Sequence, residues 1–236
     1  MNRRNDFFAG ARAGLSIALG YIPVSFSFGM TAVASGIPAL AVILISMTNL
    51  TSAGQFAGTT LIAAGAPFAE TALTTLIINI RYMLMSFVLS QKLDKMGILK
   101  RLAVAFGITD EIFAVALTRQ RRLTYWFMMG LITVPYIGWA GGTALGALAG
   151  NLLPERLASC LGITLYAMFI AIFIPEMKKS RAVLFTVSAA AVISCTLGIV
   201  FKMSAGWSVI ISAVAAAGLA AFVFPPDDNG DKESAS

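Results

Sequence analysis

Long apolar stretches dominate this chain and constrain its fold more than any other feature. Most of them reach the roughly 20 residues that an α-helix needs to span the hydrocarbon core of a bilayer. They lie at 8–35, 38–66, 67–90, 123–150, 155–176, 182–201 and 205–224, with a shorter stretch at 102–118. Of 236 residues, 58% are hydrophobic and 12% are charged, a balance that soluble domains do not have. The sequence predicts an all-α, polytopic integral membrane protein of seven or eight hydrophobic segments.

We expect residues 1–236 to form a single membrane domain, because no loop is long and the tail at 225–236 is short and polar. The positive charges lie in the loops, which indicates cytoplasmic loops rather than a nucleic-acid partner. These charges are Lys92, Lys95, Lys100, Arg101, Arg119, Arg121, Arg122, Lys178, Lys179 and Arg181. We therefore expect a multi-pass protein in the lipid bilayer of the cell (inner) membrane, with both termini in the cytoplasm and no nucleic-acid partner.

A polar, glycine-containing sequence, NLTSAGQ at 49–55, interrupts the apolar stretch 38–66. If this stretch crosses the membrane once, the basic loop at 91–101 lies outside the cell, which the positive-inside rule disfavours. Two half-helices that enter and leave from one face would restore the charge rule, and such a break is tolerated where it lines a cavity. This pattern predicts a broken or re-entrant helix near 49–55.

Internal similarity suggests a different arrangement. The residues from Tyr21 to Pro38 resemble those from Tyr136 to Pro154, which predicts an internal repeat of 7–118 and 123–224. The two repeats, of about four crossings each, would then have the same orientation in the membrane. The basic loop at 91–101 would lie outside, against the positive-inside rule. The two interpretations remain open on the sequence alone.

Three charged residues lie deep inside apolar stretches, where a charge costs roughly 2.5–3.5 kcal/mol and therefore faces a cavity or a partner. Arg81 lies deep in 67–90 together with Asn79, and Asp110 and Glu111 lie in the middle of 102–118. A short, doubly acidic segment is typical of a re-entrant or tilted element at an aqueous cavity. We expect Asp110 or Glu111 to carry a coupling proton, and Arg81 either to bind substrate or to pair with them.

The break in 38–66 offers donors for an anionic group. Asn49, Thr51 and Ser52 are N-cap residue types, and the exposed N-terminus of a half-helix favours a carboxylate. Gln55 adds an amide one turn further on. We predict that Asn49, Ser52, Gln55, Asn79 and Arg81 bind the substrate.

Enzymatic functions are disfavoured. The chain has no histidine, so it cannot build a histidine-based triad or a histidine-ligated metal site, and it has no phosphate-binding glycine loop. We expect no enzymatic activity, no cofactor and no metal.

Glycines at 138, 142, 146 and 150 recur every fourth residue, and such a face packs helices closely, within the chain or against another subunit.

Four motifs in the first 120 residues, FGMTAVASGIP, SAGQFAG, IINIRYML and ITDEIFAVAL, follow one another at spacings that resemble the AzlC family. The resemblance implies a large subunit of a two-component exporter of valine, leucine, isoleucine and methionine, driven by the proton-motive force. It also implies a small AzlD-type membrane partner. The family often has histidine after its Asn-x-Arg motif, where this chain has Tyr82. A transporter of another small zwitterionic or anionic solute, a non-transporting scaffold subunit and a membrane enzyme are the rival interpretations.

Overall fold

The computed structural model describes residues 3–119, 121–149 and 180–225, together with the single positions 170, 174, 177 and 178. The regular elements in these residues are helices: α1 (Arg3–Ala34), α2 (Ala39–Thr48), α3 (Ser52–Ala63), α4 (Phe68–Lys92), α5 (Ile98–Phe106), α6 (Asp110–Thr118), α7 (Tyr125–Ala149), α8 (Arg181–Ile199) and α9 (Ala205–Val223). Within these ranges α1, α4, α7, α8 and α9 are long and apolar enough to cross a membrane. The all-α membrane fold is therefore confirmed, while the predicted segment 155–176 falls almost entirely outside the described residues.

The chain divides into two compact units, Met1–Met168 and Phe169–Ser236. In the second unit α8 and α9 pack as an antiparallel pair, because Phe185 near the start of α8 contacts Phe224 directly after α9, with ring centroids 5.7 Å apart. The elements α1 to α7 belong to the first unit. That residues 1–236 form one domain, and that they contain two repeats, both stay predictions.

α1 and α7 lie in parallel and touch backbone to backbone. A Cβ atom added at Gly10 would lie 2.1 Å from the carbonyl oxygen of Phe127, and one added at Gly29 would lie 2.3 Å from that of Thr143. Only glycine permits so close an approach. Because Gly10 faces the start of α7 and Gly29 faces its end, the two helices run in the same direction.

The predicted glycine face of α7 is used in this packing. Gly138, Gly142 and Gly146 all face α1. An added Cβ would collide with Ser25 at Gly142 and with Phe26 at Gly146, and it would be in tight contact with Ala18 at Gly138. The face therefore serves packing within the chain, one of the two interpretations that the sequence left open. Gly150 lies outside the described residues.

α2 and α3 form a helical hairpin, here called hairpin A, that enters and leaves from the same end of the unit. α2 runs against the direction of α7: Val42 clusters with Ala147, and further along the Ser46 hydroxyl lies 2.7 Å from that of Thr143. α3 then runs back along α4, since Gly54 lies against Asn79 and Gly58 against Thr75. The re-entrant interpretation of 38–66 is thus correct, and the eight-crossing interpretation is wrong for this segment.

α5 and α6 form hairpin B, which enters from the opposite end. α5 descends along α7, with Lys100 over the ring of Tyr125 at 5.4 Å and Gly107 directly against Ile132. α6 returns along α4 to the end where the Nζ of Lys92 donates to the carbonyl oxygen of Leu117 at 2.9 Å.

Each hairpin reverses at three residues of non-helical backbone, here called tip A (49–51) and tip B (107–109). Thr51 caps α3 by accepting from the N–H of Gly54, and Thr109 caps α6 by accepting from the N–H of Ile112. The tip B break divides the stretch 102–118, which the sequence predicted to be a re-entrant or tilted element, because Gly107 and the Thr109 cap end one helix and begin another. Asp110 and Glu111 consequently occupy the first turn of α6 rather than the middle of a helix.

Candidate functional site

The two tips meet halfway along the unit, beside Tyr21, Arg81 and Trp139, each of which lies near the middle of a long helix. Together they enclose a narrow polar cavity, here called the central site. It is lined by Tyr21, Leu50, Thr51, Ser52, Tyr82, Thr109, Asp110, Glu111 and Trp139. It has space for about one water molecule.

Arg81 and Asp110 form an ion pair beside this cavity. The Nη2 of Arg81 lies 2.9 Å from Oδ2 of Asp110, and the two side chains are 37% and 30% exposed. The guanidinium also lies over the ring of Tyr82, 5.3 Å from its centroid. Each charge therefore compensates the other at a depth where an isolated charge is costly.

Glu111 is held by a buried tyrosine. The Tyr21 hydroxyl donates to Oε2 of Glu111 at 2.5 Å and lies 2.7 Å from Oγ1 of Thr109. This phenol thereby joins α1 to tip B and to the first turn of α6. The carboxylate of Glu111 is fixed in orientation at the wall of the cavity.

Tip A is tied to α4. The hydroxyl of Thr51 donates to Oδ1 of Asn79 at 2.7 Å, and the Tyr82 hydroxyl lies 3.4 Å from the same Thr51 oxygen. Gly54 permits this contact, because a Cβ there would lie 2.7 Å from Nδ2 of Asn79. Asn79 is therefore a residue that positions tip A.

Gln55 lies in the first turn of α3, directly after tip A. It is almost fully buried, at 1% exposure. Its Oε1 accepts from the indole N–H of Trp139 at 2.8 Å, which joins α3 to α7. Its Nε2 is buried and has no hydrogen-bond partner in the described residues. Buried amide donors without a partner destabilise a fold and are rare. A polar ligand that accepts a hydrogen bond from this Nε2 would satisfy it.

The structure brings most of the predicted site residues to one place. Ser52, Asp110 and Glu111 line the central site. Asn79, Arg81 and Gln55 do not line it, but each contacts a residue that does. Asn49 is the C-cap of α2 and lines two adjacent cavities instead.

Sequence reasoning missed Tyr21, Thr109 and Trp139 as site residues. Aromatic residues in an apolar helix are usual, so Tyr21 and Trp139 carried no distinguishing signal. Thr109 did carry one, because a threonine directly before two acidic residues is typical of a helix N-terminus.

The site presents two helix N-termini, one cation and two carboxylates to the same small volume. Free N–H groups and the positive ends of helix dipoles favour an anionic group, whereas Asp110 and Glu111 favour a cationic one. Within the described ranges no three Cys, Asp or Glu side chains come together in a way that would hold a metal ion. The arrangement suits the binding of a small solute that carries both charges.

Two re-entrant hairpins that meet from opposite ends, with helix N-termini at mid-depth, define a class of membrane protein in which discontinuous helices build a central site. The AzlC protein family model matches residues 16–153, and the chain belongs to this family.

Two relatives support the assignment. The chain is 30% identical over 188 residues to the inner membrane protein YgaZ of Escherichia coli, covering 76% of this chain and 77% of that protein. It is 34% identical over 193 residues to an uncharacterized membrane protein of Archaeoglobus fulgidus, covering 79% and 82% respectively. No solved structure matches the chain.

Proposed function

We propose that this protein exports branched-chain amino acids, namely valine, leucine, isoleucine and methionine, as the large subunit of a two-component, proton-coupled exporter. The observation that carries the proposal is the meeting of two oppositely inserted hairpins at an Arg81–Asp110 ion pair, 2.9 Å apart. In secondary transporters, substrate and coupling-ion sites lie near the bilayer midplane and are built from discontinuous helices.

A zwitterionic amino acid matches this ion pair. When Arg81 and Asp110 separate, the substrate carboxylate takes the place of Asp110 beside Arg81, and its ammonium takes the place of Arg81 beside Asp110. The charge of the site stays balanced, so no isolated charge is left at membrane depth. The aromatic and aliphatic walls formed by Tyr21, Leu50 and Trp139 suit an apolar side chain.

The same exchange provides a route for coupling to protons. Asp110 lacks a cationic partner when the ion pair is open and no substrate ammonium lies beside it, and a carboxylate without a partner in an apolar environment takes up a proton. Glu111, which the phenol of Tyr21 holds in place, is the second proton-carrying group. Efflux then follows the proton-motive force without nucleotide hydrolysis.

The charge distribution supports an inner-membrane topology with the N-terminus in the cytoplasm. Asp6 near the N-terminus pairs with Arg119 at 3.5 Å, and the backbone of Leu123 bonds to Lys92 and Asp94. The N-terminus and the first two basic loops therefore lie at the same end of the unit, as the positive-inside rule requires. The relative from Escherichia coli is named as an inner membrane protein.

The test is valine efflux from cells preloaded with a valine-containing dipeptide. One arm expresses this chain alone, a second expresses it with a small AzlD-type membrane subunit, and a third expresses neither protein. Membrane insertion is verified for every expressed chain. We expect efflux that needs both chains and collapses when a protonophore is added. Competing solutes added to the same assay distinguish branched-chain amino acids from other zwitterions and anions.

Absence of efflux in every arm, with both chains inserted, would contradict the proposal and favour another solute. Among the rivals, a scaffold subunit would use the glycine face of α7 as a surface for another subunit. That face packs against α1 through Gly138, Gly142 and Gly146, so the observation favours transport over scaffolding.

A further inference from the structure

α4 carries a polar face over most of its length. Its members recur at intervals of three or four residues: Thr71, Thr75, Asn79, Tyr82, Ser86 and Ser90. At 3.6 residues per turn these positions fall within an arc of about 100°. The polar face extends for about 28 Å along the helix axis, close to the roughly 30 Å thickness of the hydrocarbon core.

The rest of α4 has a different character. Leu73, Leu76, Ile80, Leu84 and Phe87 are apolar, exposed, and on the other side of the helix. α4 is thus amphipathic although it is long enough to cross a membrane. A helix that only faces lipid and packs on apolar neighbours has no need of such a face.

Three cavities follow one another along this polar face. The first, between α3 and α4, is lined by Thr71 and Thr75. The second lies at the two tips and is lined by Asn79 and Tyr82. The third, between α4 and α5, is lined by Ser86 and Ser90. Each polar residue of the face therefore lines one of three cavities, and these cavities follow one another from one end of α4 to the other.

Two independent features indicate that polar solutes use these cavities. Gln55 lines the first cavity, and its buried Nε2 has no hydrogen-bond partner in the described residues. The second cavity shares Leu50, Thr51 and Tyr82 with the central site. Tyr82 therefore lies between the three cavities and the Arg81–Asp110 ion pair.

We propose that the polar face of α4 is the wall of the path along which the solute crosses the membrane, between this helix and the α3 and α5 arms of the two hairpins. The inference rests on the proposed function, which it deepens by assigning the route on either side of the central site. Tyr82 separates that route from the ion pair, and its movement admits the solute to the pair.

The test is the reactivity of single cysteines with a membrane-impermeant thiol reagent in the full-length protein, after Cys160→Ser and Cys195→Ser. Thr75→Cys and Ser86→Cys test the first and third cavities. Leu76→Cys and Phe87→Cys are the matched controls, because they lie one residue further along α4 on its apolar face. Labelling is followed in intact cells and in everted membrane vesicles, so that both sides are sampled.

We expect each polar-face cysteine to react at least about tenfold faster than its neighbour in one of the two preparations, because a thiol reacts as thiolate and needs water to ionise. Added valine should slow the reaction. Equal rates within both pairs would overturn the path, whatever the efflux assay gives. A clear difference in labelling without valine protection or valine efflux would leave the path standing and reject the branched-chain substrate.

Discussion

The ion pair of Arg81 and Asp110 sets the requirements of the central site at the scale of single residues. We predict that Asp110→Asn, and separately Arg81→Gln, lowers valine efflux by at least about tenfold, equivalent to about 1.4 kcal/mol. Each change removes one charge of the ion pair that, in the proposed function, exchanges partners with the substrate. The initial efflux rate is measured at equal membrane abundance.

Asp6→Asn is the matched control, because Asp6 also pairs with an arginine, Arg119 at 3.5 Å, but at the end of the unit. It should retain efflux. Unchanged efflux in Asp110→Asn or Arg81→Gln would reduce that residue to a structural role.

The Tyr21 phenol is a second residue-scale requirement, since it holds Glu111 and contacts Thr109. We predict that Tyr21→Phe lowers the maximal efflux rate several-fold, because the carboxylate loses its orientation while the ring still packs on Trp139. Tyr136→Phe is the control. It also removes one tyrosine hydrogen bond, to the carbonyl oxygen of Met47, away from Glu111. Equal losses in the two variants would mean that the effect is general destabilisation.

The sequence was sufficient to predict the charged members of the site and insufficient for the aromatic ones. Arg81, Asp110 and Glu111 are conspicuous because charges at membrane depth are costly. Tyr21 and Trp139 lie in helices where aromatic residues are common, and their roles depend on the neighbours that folding brings to them. Which partner Arg81 takes likewise followed from the geometry alone.

At the scale of elements, the two tips differed in how visible they were. Tip A lies in NLTSAGQ, where four of seven residues are polar, and the sequence predicted a break there. For tip B, the sequence predicted a re-entrant or tilted element over 102–118 but not the position of the break, because a membrane helix tolerates the residue types of Gly107-Ile108-Thr109. Only the packing of Gly107 against Ile132 and the cap formed by Thr109 separate α5 from α6.

The α1–α7 interface yields the element-scale prediction. Gly142→Ala should lower the thermal unfolding midpoint in detergent, because the new Cβ would lie 2.1 Å from Oγ of Ser25 and 2.8 Å from the carbonyl oxygen of Ile22. Overpacking of this kind costs about 1–3 kcal/mol. Gly141→Ala, one residue away, meets no atom within 4 Å and should keep the midpoint or raise it slightly. Similar losses in both variants would contradict the packing of α7 on α1.

At the scale of the whole molecule, the opposed hairpins fix which connections share a side of the membrane. The turn at 35–38 and the turn at 64–67 flank hairpin A and lie at one end of the first unit. The start of α1, the connection 93–97 and residues 121–124 before α7 lie at the other end. With positive loops in the cytoplasm, we predict that reporters placed after residue 66 face outside and that reporters placed after residue 96 face inside.

This last prediction separates the re-entrant fold from eight parallel crossings. If hairpin A crossed the membrane instead of returning, the turn at 64–67 would move to the side of the N-terminus and residue 96 to the opposite side. A reporter after residue 36 is the internal control, because both arrangements place it outside. An inside reporter at 66 with an outside reporter at 96 would therefore contradict hairpin A. It would also remove the central site, since the tips meet only when both hairpins enter from opposite ends.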